Sequence, residues 1–161
     1  MNIGYYRRAI LVALVLGWCV VIFNFSSQSA TESTETSSDF IEIFCNFIVP
    51  EFGDFSGAQR LDFINHLQFA VRKCAHFTTF GILGFLCWFA LYNIKNKLRY
   101  ALAVAFSFLY ACSDEIHQIF VDGRSCELRD VLIDTLGAML GTLFALLLTL
   151  LALHFRKQPE L

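Results

Sequence analysis

Charge is scarce in this chain. Only 16% of its 161 residues are Asp, Glu, Lys or Arg, against about 25% in an ordinary soluble domain, which argues against a globule surrounded by water. No basic excess compensates. The 12 Lys and Arg face 14 Asp and Glu, so the cationic surface that nucleic-acid binding requires is missing. Proline occurs twice and glycine nine times, with no low-complexity run beyond one short Ser/Thr stretch; collagen, long linkers and extended disorder are excluded. The six cysteines, Cys19, Cys45, Cys74, Cys87, Cys112 and Cys126, contain no C-x-x-C pair, which leaves a zinc ribbon or thioredoxin-like centre without support. Their apolar surroundings favour free thiols, although a Cys45–Cys126 bond is compatible with the topology below. Phosphate loops, dinucleotide fingerprints, the G-x-S-x-G elbow and the H-E-x-x-H helix are absent as well.

Apolar residues fill the space: 57% of the chain is hydrophobic, with 18 Phe. A bilayer core about 30 Å thick needs about 20 mostly apolar helical residues. Four stretches meet this, at about residues 9–25, 75–94, 100–121 and 131–155. The first follows Arg7 and Arg8 and could be a signal peptide with Ser27 and Ser29 near its cleavage site, but its apolar run is long for one and a retained anchor is preferred. The third reaches spanning length only by including Asp114, Glu115 and His117. Residues 1–161 are therefore expected to form one all-α domain, a polytopic integral membrane protein with four transmembrane helices.

Arg7, Arg8, Lys95, Lys97, Arg99, Arg156 and Lys157 flank the ends that four spans bring to one face. By the positive-inside rule that face is cytoplasmic and holds both termini. Of the 14 acidic residues, 13 (all but Glu160) fall on the other side or in the outer ends of spans. Two amphipathic helices are expected outside, at about 39–49 and 57–74. In the first, Phe40, Ile41, Ile43, Phe44, Phe47 and Ile48 recur at helical spacing behind an Asp39/Glu42 capping box, a pattern that lies flat on a membrane. The second starts after Ser56, with Gln59 at its third position.

Ionisable residues within membrane segments are costly and usually face a bundle interior or wet cavity. Here they gather at one depth: Arg72, Lys73 and His76; Asp114, Glu115, His117 and Gln118; Arg124, Arg129, Asp130 and Asp134. Arg72 aligns with His76, Asp114 with His117 and Gln118, and Asp130 with Asp134. Glu115 points about 100° away from Asp114. The bland alternative is mutual pairing, with Arg72 or Arg129 holding Asp114 or Asp134 as structural ion pairs. A metal could draw on His76, His117, Asp114 and Asp134, but no dense ligand motif supports it, and neither metal nor cofactor is expected. Gly137 with Gly141, and less regularly Gly81 with Gly84, are small residues suited to close helix contact, and the Gly137/Gly141 face equally suits a homodimer.

Several of these residues belong to longer motifs: Phe25-Ser26-Ser27-Gln28, Arg72-Lys73-Cys74-Ala75-His76-Phe77, Ser113-Asp114-Glu115-Ile116-His117-Gln118, Gly123-Arg124, and Asp130-Val131-Leu132-Ile133-Asp134-Thr135-Leu136-Gly137. In this order and spacing, over about residues 8–150, the chain resembles the VanZ-like family of bacterial membrane proteins. The resemblance implies a small four-helix protein of the cytoplasmic membrane, with members linked to low-level resistance to teicoplanin-type glycopeptides. Such drugs act outside the membrane on lipid-linked wall precursors, at the face where the polar cluster is expected. The leading expectation is a pocket that binds an anionic amphiphile, a membrane lipid or lipid-linked wall-precursor head group, with the glycopeptide itself as another partner. Its ligand-binding candidates are Gln28, Arg72, Lys73, Gln118, Arg124, Arg129, Asp130 and Asp134. A second reading is a hydrolase or transferase on a lipid phosphate, with His76, Asp114, Glu115 and His117 as acid-base groups. A third is a small proton-coupled carrier, weakened because its carboxylates all lie toward one face.

Overall fold

The computed structural model describes residues 3–156, so Lys157 and Glu160 lie outside the described residues. Five α-helices follow in order: α1 (Ile3–Ser26), α2 (Ala30–Ile48), α3 (Gly57–Ala90), α4 (Asn96–Gln118) and α5 (Leu128–Arg156), with a 3₁₀ turn at Pro50–Asp54. No strand occurs among the described residues.

α2 begins nine residues before its expected start at 39. Ser29 supplies the cap: its hydroxyl accepts from the Glu32 amide, and the Glu32 carboxylate accepts from the Ser29 amide. The Ser29 amide, and next the Ser29 hydroxyl, which also donates to the Glu32 carboxylate, hold that carboxyl below its ordinary range. The Ser/Thr-rich stretch then stays helical because Thr34, Thr36 and Ser38 donate to carbonyls one turn back, satisfying hydroxyls that would otherwise compete for the backbone. The Asp39/Glu42 capping box is thus corrected to Ser29/Glu32. Of the apolar stripe read in α2, only Ile41 turns inward, joining Cys45, Phe52 and Ile64 in a small core. Phe40, Ile43, Phe44 and Phe47 face outward, Phe47 at 92% exposure.

Pro50 opens the turn after α2 and drives Phe52 into that core, where Arg60 covers its ring and donates to the Gly53 carbonyl at 2.8 Å. Ser56 and Gln59 close a capping box, as their spacing predicts, and α3 runs unbroken for 34 residues. The outer helix expected at 57–74 and the span expected at 75–94 are one rod, ending at Ala90. No Gly or Pro interrupts the register between them. α4 and α5 likewise begin earlier than read, at Asn96 and Leu128.

α3 and α5 form the centre of the molecule. A Cβ added to Gly141 would strike the Gly81 carbonyl, and one added to Gly137 the Phe77 carbonyl, so backbone meets backbone in the manner of small-residue membrane contacts. These glycines serve packing within the chain. Trp88 ties the same pair by donating to the Thr149 hydroxyl at 3.0 Å. α1 is integral to the core, not peripheral: Val15, Cys19 and Ile22 pack with Phe80 and Leu83, and Trp18 donates to the Thr79 carbonyl. α4 joins through the Tyr110 hydroxyl, which donates to the Cys19 carbonyl at 2.6 Å.

The pattern of burial is inverted relative to a soluble bundle. α5 buries Asp130, Asp134, Gly137, Ala138, Thr142 and Ala145 and presents Leu132, Leu136, Leu140, Phe144, Leu147 and Leu151 outward. An exposed apolar surface of this extent marks contact with lipid. α1, α3 and α5 are each long and apolar enough to cross a membrane. All six cysteines are free.

Candidate functional site

Three helices deliver the polar residues to one end of the bundle. α3 carries Arg72, Lys73 and His76; α4 ends on Asp114, Glu115 and Gln118; α5 starts at Leu128, which puts Asp130 in its first turn and Asp134 one turn further. The His76 imidazole and the Asp114 and Asp134 carboxylates converge, with one donor atom from each lying within 4.8 Å of the others. His76 Nδ1 stands 3.4 Å from Asp134 Oδ1. Asp134 is 0% exposed, and neither of its carboxylate oxygens accepts a hydrogen bond among the described residues.

Around this centre each neighbour has a distinct job. Gln118 donates to Asp114 Oδ2 at 3.3 Å. Glu115, turned away as its helical position requires, accepts from the Glu127 amide at 2.7 Å through Oε2, while its Oε1 is buried without a partner. Lys73 donates to Asp130 Oδ2 at 2.6 Å and stands 3.8 Å from Glu127. The opposite charges therefore pair, but not as expected: Lys73, and not Arg72 or Arg129, takes the carboxylate, and the carboxylate is Asp130.

His117 does not join the cluster. Its ring stacks on Phe23 of α1 with centroids 4.6 Å apart, and its Nε2 lies 3.1 Å from the Ser27 hydroxyl. Arg129 lies over the Phe69 ring. Arg124 donates from Nε to the Gln28 carbonyl at 3.2 Å, fastening the loop before α5 to the end of α1. Burial, with Arg72 nearby as the next cause, pulls the Arg124 guanidinium below its ordinary range. Among the described residues Arg72, Arg124 and Arg129 form no ion pair. The Gln28 side chain faces a separate, shallow hollow of about 470 Å³ that Glu32, Glu35 and Asp39 make acidic.

Glu127 is not among the expected site residues, and Ser26 enters only through the Phe25-Ser26-Ser27-Gln28 motif. Glu127 sits in a loop without periodicity, and Ser26, whose buried hydroxyl has no partner, sits at a helix end where small polar residues are common. The VanZ/LLP1 family model matches residues 11–150. The chain belongs to the VanZ/LLP1 family. That match spans α2 to α4 whole and most of α1 and α5, and so takes in every residue of the polar cluster. With three helices apolar and long enough to cross a bilayer, this VanZ/LLP1 chain is a membrane protein. No curated protein and no solved structure matches it.

Proposed function

We propose that this is a multi-pass protein of the bacterial cytoplasmic membrane that binds the phosphate of an anionic amphiphile at its outer face. α4 is the fourth span. It is 23 residues long, about 35 Å at 1.5 Å per residue, and it buries Ala103, Ser107, Ala111 and Asp114 while turning Leu102, Phe106 and Leu109 outward. Both termini are then cytoplasmic. α2 lies in the outer interface, with Phe40, Phe44 and Phe47 inserted among the lipid head groups.

The observation that carries the binding reading is the neighbourhood of Arg72 and Arg124. Neither guanidinium has an ion-pair partner among the described residues, although Asp114, Glu115 and Asp130 also act on Arg124 against the burial and Arg72 charge that lower it, and an anion would give both their missing partner. A lipid phosphate, or the diphosphate of a lipid-linked wall precursor, has the right charge and reaches this depth. A bound precursor is one whose encounter with a teicoplanin-type drug changes, which is how the resistance linked to VanZ-like proteins would arise. The acidic hollow beside Gln28 is unsuited to such a ligand.

Native mass spectrometry of the purified protein with its carried-over lipids tests this. An anionic lipid adduct is expected on the wild type and lost from folded Arg72→Ala and Arg124→Ala, with Arg60→Ala unaffected; equal retention by all four proteins rejects the site. The enzyme reading draws on the His76–Asp134 pair and loses His117 as a partner. The carrier reading lacks relay groups, because Arg99 is the buried charge at the opposite end among the described residues.

A further inference from the structure

The centre formed by His76, Asp114 and Asp134 poses a charge problem that the cations of the chain do not solve. Asp114, Glu115 and Asp134 are all buried. Isolated buried carboxylates are strongly disfavoured unless paired, protonated or bound to a metal. Lys73 is held by Asp130 and Glu127, and no Arg forms an ion pair with these three acids among the described residues. One imidazole, with Arg124 near Asp114 and Glu115 but in an ion pair with neither, leaves the three carboxylates short of positive charge.

The geometry supplies the second half of the argument. The His76 Nδ1 to Asp134 Oδ1 separation of 3.4 Å is long for a charge-assisted hydrogen bond. It is the spacing of two ligands on one ion, since metal bonds of about 2.0–2.2 Å put tetrahedral neighbours about 3.3–3.6 Å apart. The three donor atoms lie within 4.8 Å of one another, and a pair at that limit closes to the same range when each donor moves by about 0.7 Å. Asp134 offers two oxygens with no hydrogen bond to give up. On Asp114, Gln118 donates to Oδ2, the outer-shell support that ligating carboxylates receive.

We propose that His76, Asp114 and Asp134 form a binding site for one divalent first-row transition-metal cation, of the zinc or manganese class. One imidazole nitrogen with two carboxylate oxygens is a borderline donor set, unlike the all-oxygen shells that calcium and magnesium take. Three protein ligands leave a coordination position for water or for an incoming oxygen anion. Drawn from α3, α4 and α5, the ligands would also staple three helices at one end, so the ion stabilises the fold. The site stands whether or not Arg72 and Arg124 bind a lipid.

The test uses the intact protein in detergent, stripped with a chelator and dialysed against Zn²⁺ or Mn²⁺ alone. The expected result is one metal per chain for the wild type by elemental analysis, with melting raised by the metal. Asp134→Asn and His76→Gln, each eluting as the wild type does, are expected to fall to background and to lose the metal-dependent rise in melting. Glu35→Gln, which alters the acidic hollow, is expected to keep full stoichiometry. Wild-type protein that stays metal-free and melts unchanged by either ion overturns the proposal, as does full metal retention by both variants. Loss of metal in Glu35→Gln instead assigns binding to the hollow and also overturns it. Should Asp134→Asn fail to fold, His76→Gln and the wild-type melting shift decide.

Discussion

Lys73 shows how a single side chain is committed by burial. Its side chain is 15% exposed and that of its partner Asp130 9%, so removing the cation strands a carboxylate in a poor solvent. Lys73→Ala is expected to cost about 3 kcal/mol of stability, the usual scale for breaking a buried pair from one side. The Lys73→Ala/Asp130→Ala double variant should recover most of that loss. Thermal unfolding in detergent checks both; a single variant as stable as the wild type would mean that water already reaches Asp130. The pairing alternative named Arg72 or Arg129, yet helical periodicity fixes only the direction of a side chain within about 100°. Which of two adjacent cations meets an acid depends on where α5 starts, and a loop without periodicity conceals that. His117 illustrates the same limit: it lies about 60° from Asp114 around the helix and Gln118 about 40° to the other side, and the two directions lead to α1 and to the cluster centre respectively. The alignment of Asp114 with both was legible; the neighbour on each side was not.

At the scale of elements, glycine placement decides how near α3 and α5 come. Gly141 has the Gly81 carbonyl where its Cβ would be, and backbone atoms have nowhere to retreat. Gly141→Ala is expected to push the helices apart and cost about 1–3 kcal/mol, the range for overpacking. Gly17→Ala is the matched control. Nothing lies within 4 Å of its would-be Cβ, and the exchange should stabilise α1 by about 0.5–1 kcal/mol. Parallel melting curves separate the two, and a neutral Gly141→Ala would show that the contact relaxes freely. The small-x-x-x-small spacing made these glycines readable as packing residues. The partner face was not readable, because the same spacing serves a second copy equally well. Helix ends were read less well than helix interiors: α2 starts at Ala30 because Ser29 caps it, whereas the hydroxyl-rich turn that follows has the composition of a loop.

For the whole molecule, the ordering of chemistry from inside to outside is reversed: carboxylates, glycines and hydroxyls within, leucine and phenylalanine at the surface. Such a particle is stable only where the surroundings are less polar than its centre, which is why composition alone already argued against a water-surrounded globule. Three helices satisfy the length and hydropathy needed to cross a bilayer; α4 carries Lys97 and Arg99 at one end and Asp114 and Glu115 at the other, and its role decides the topology. If α4 spans, Lys97 at its start and Cys126, an exposed free thiol in the loop after it, lie on opposite sides of the membrane. If it does not, they share a side. With Cys74→Ser and Cys112→Ser removing the other reachable thiols, Cys126 is expected to react with an impermeant maleimide on right-side-out vesicles. A Lys97→Cys, Cys126→Ser chain in the same background is expected to react only after permeabilisation. Reaction of both from the same side would reduce the spans to those of α1, α3 and α5, and reaction of Cys126 only after permeabilisation, with Lys97→Cys open from outside, would invert the orientation. Either result would move the Arg72 and Arg124 site away from the leaflet where lipid-linked wall precursors meet a glycopeptide, and with it the reason to expect that ligand.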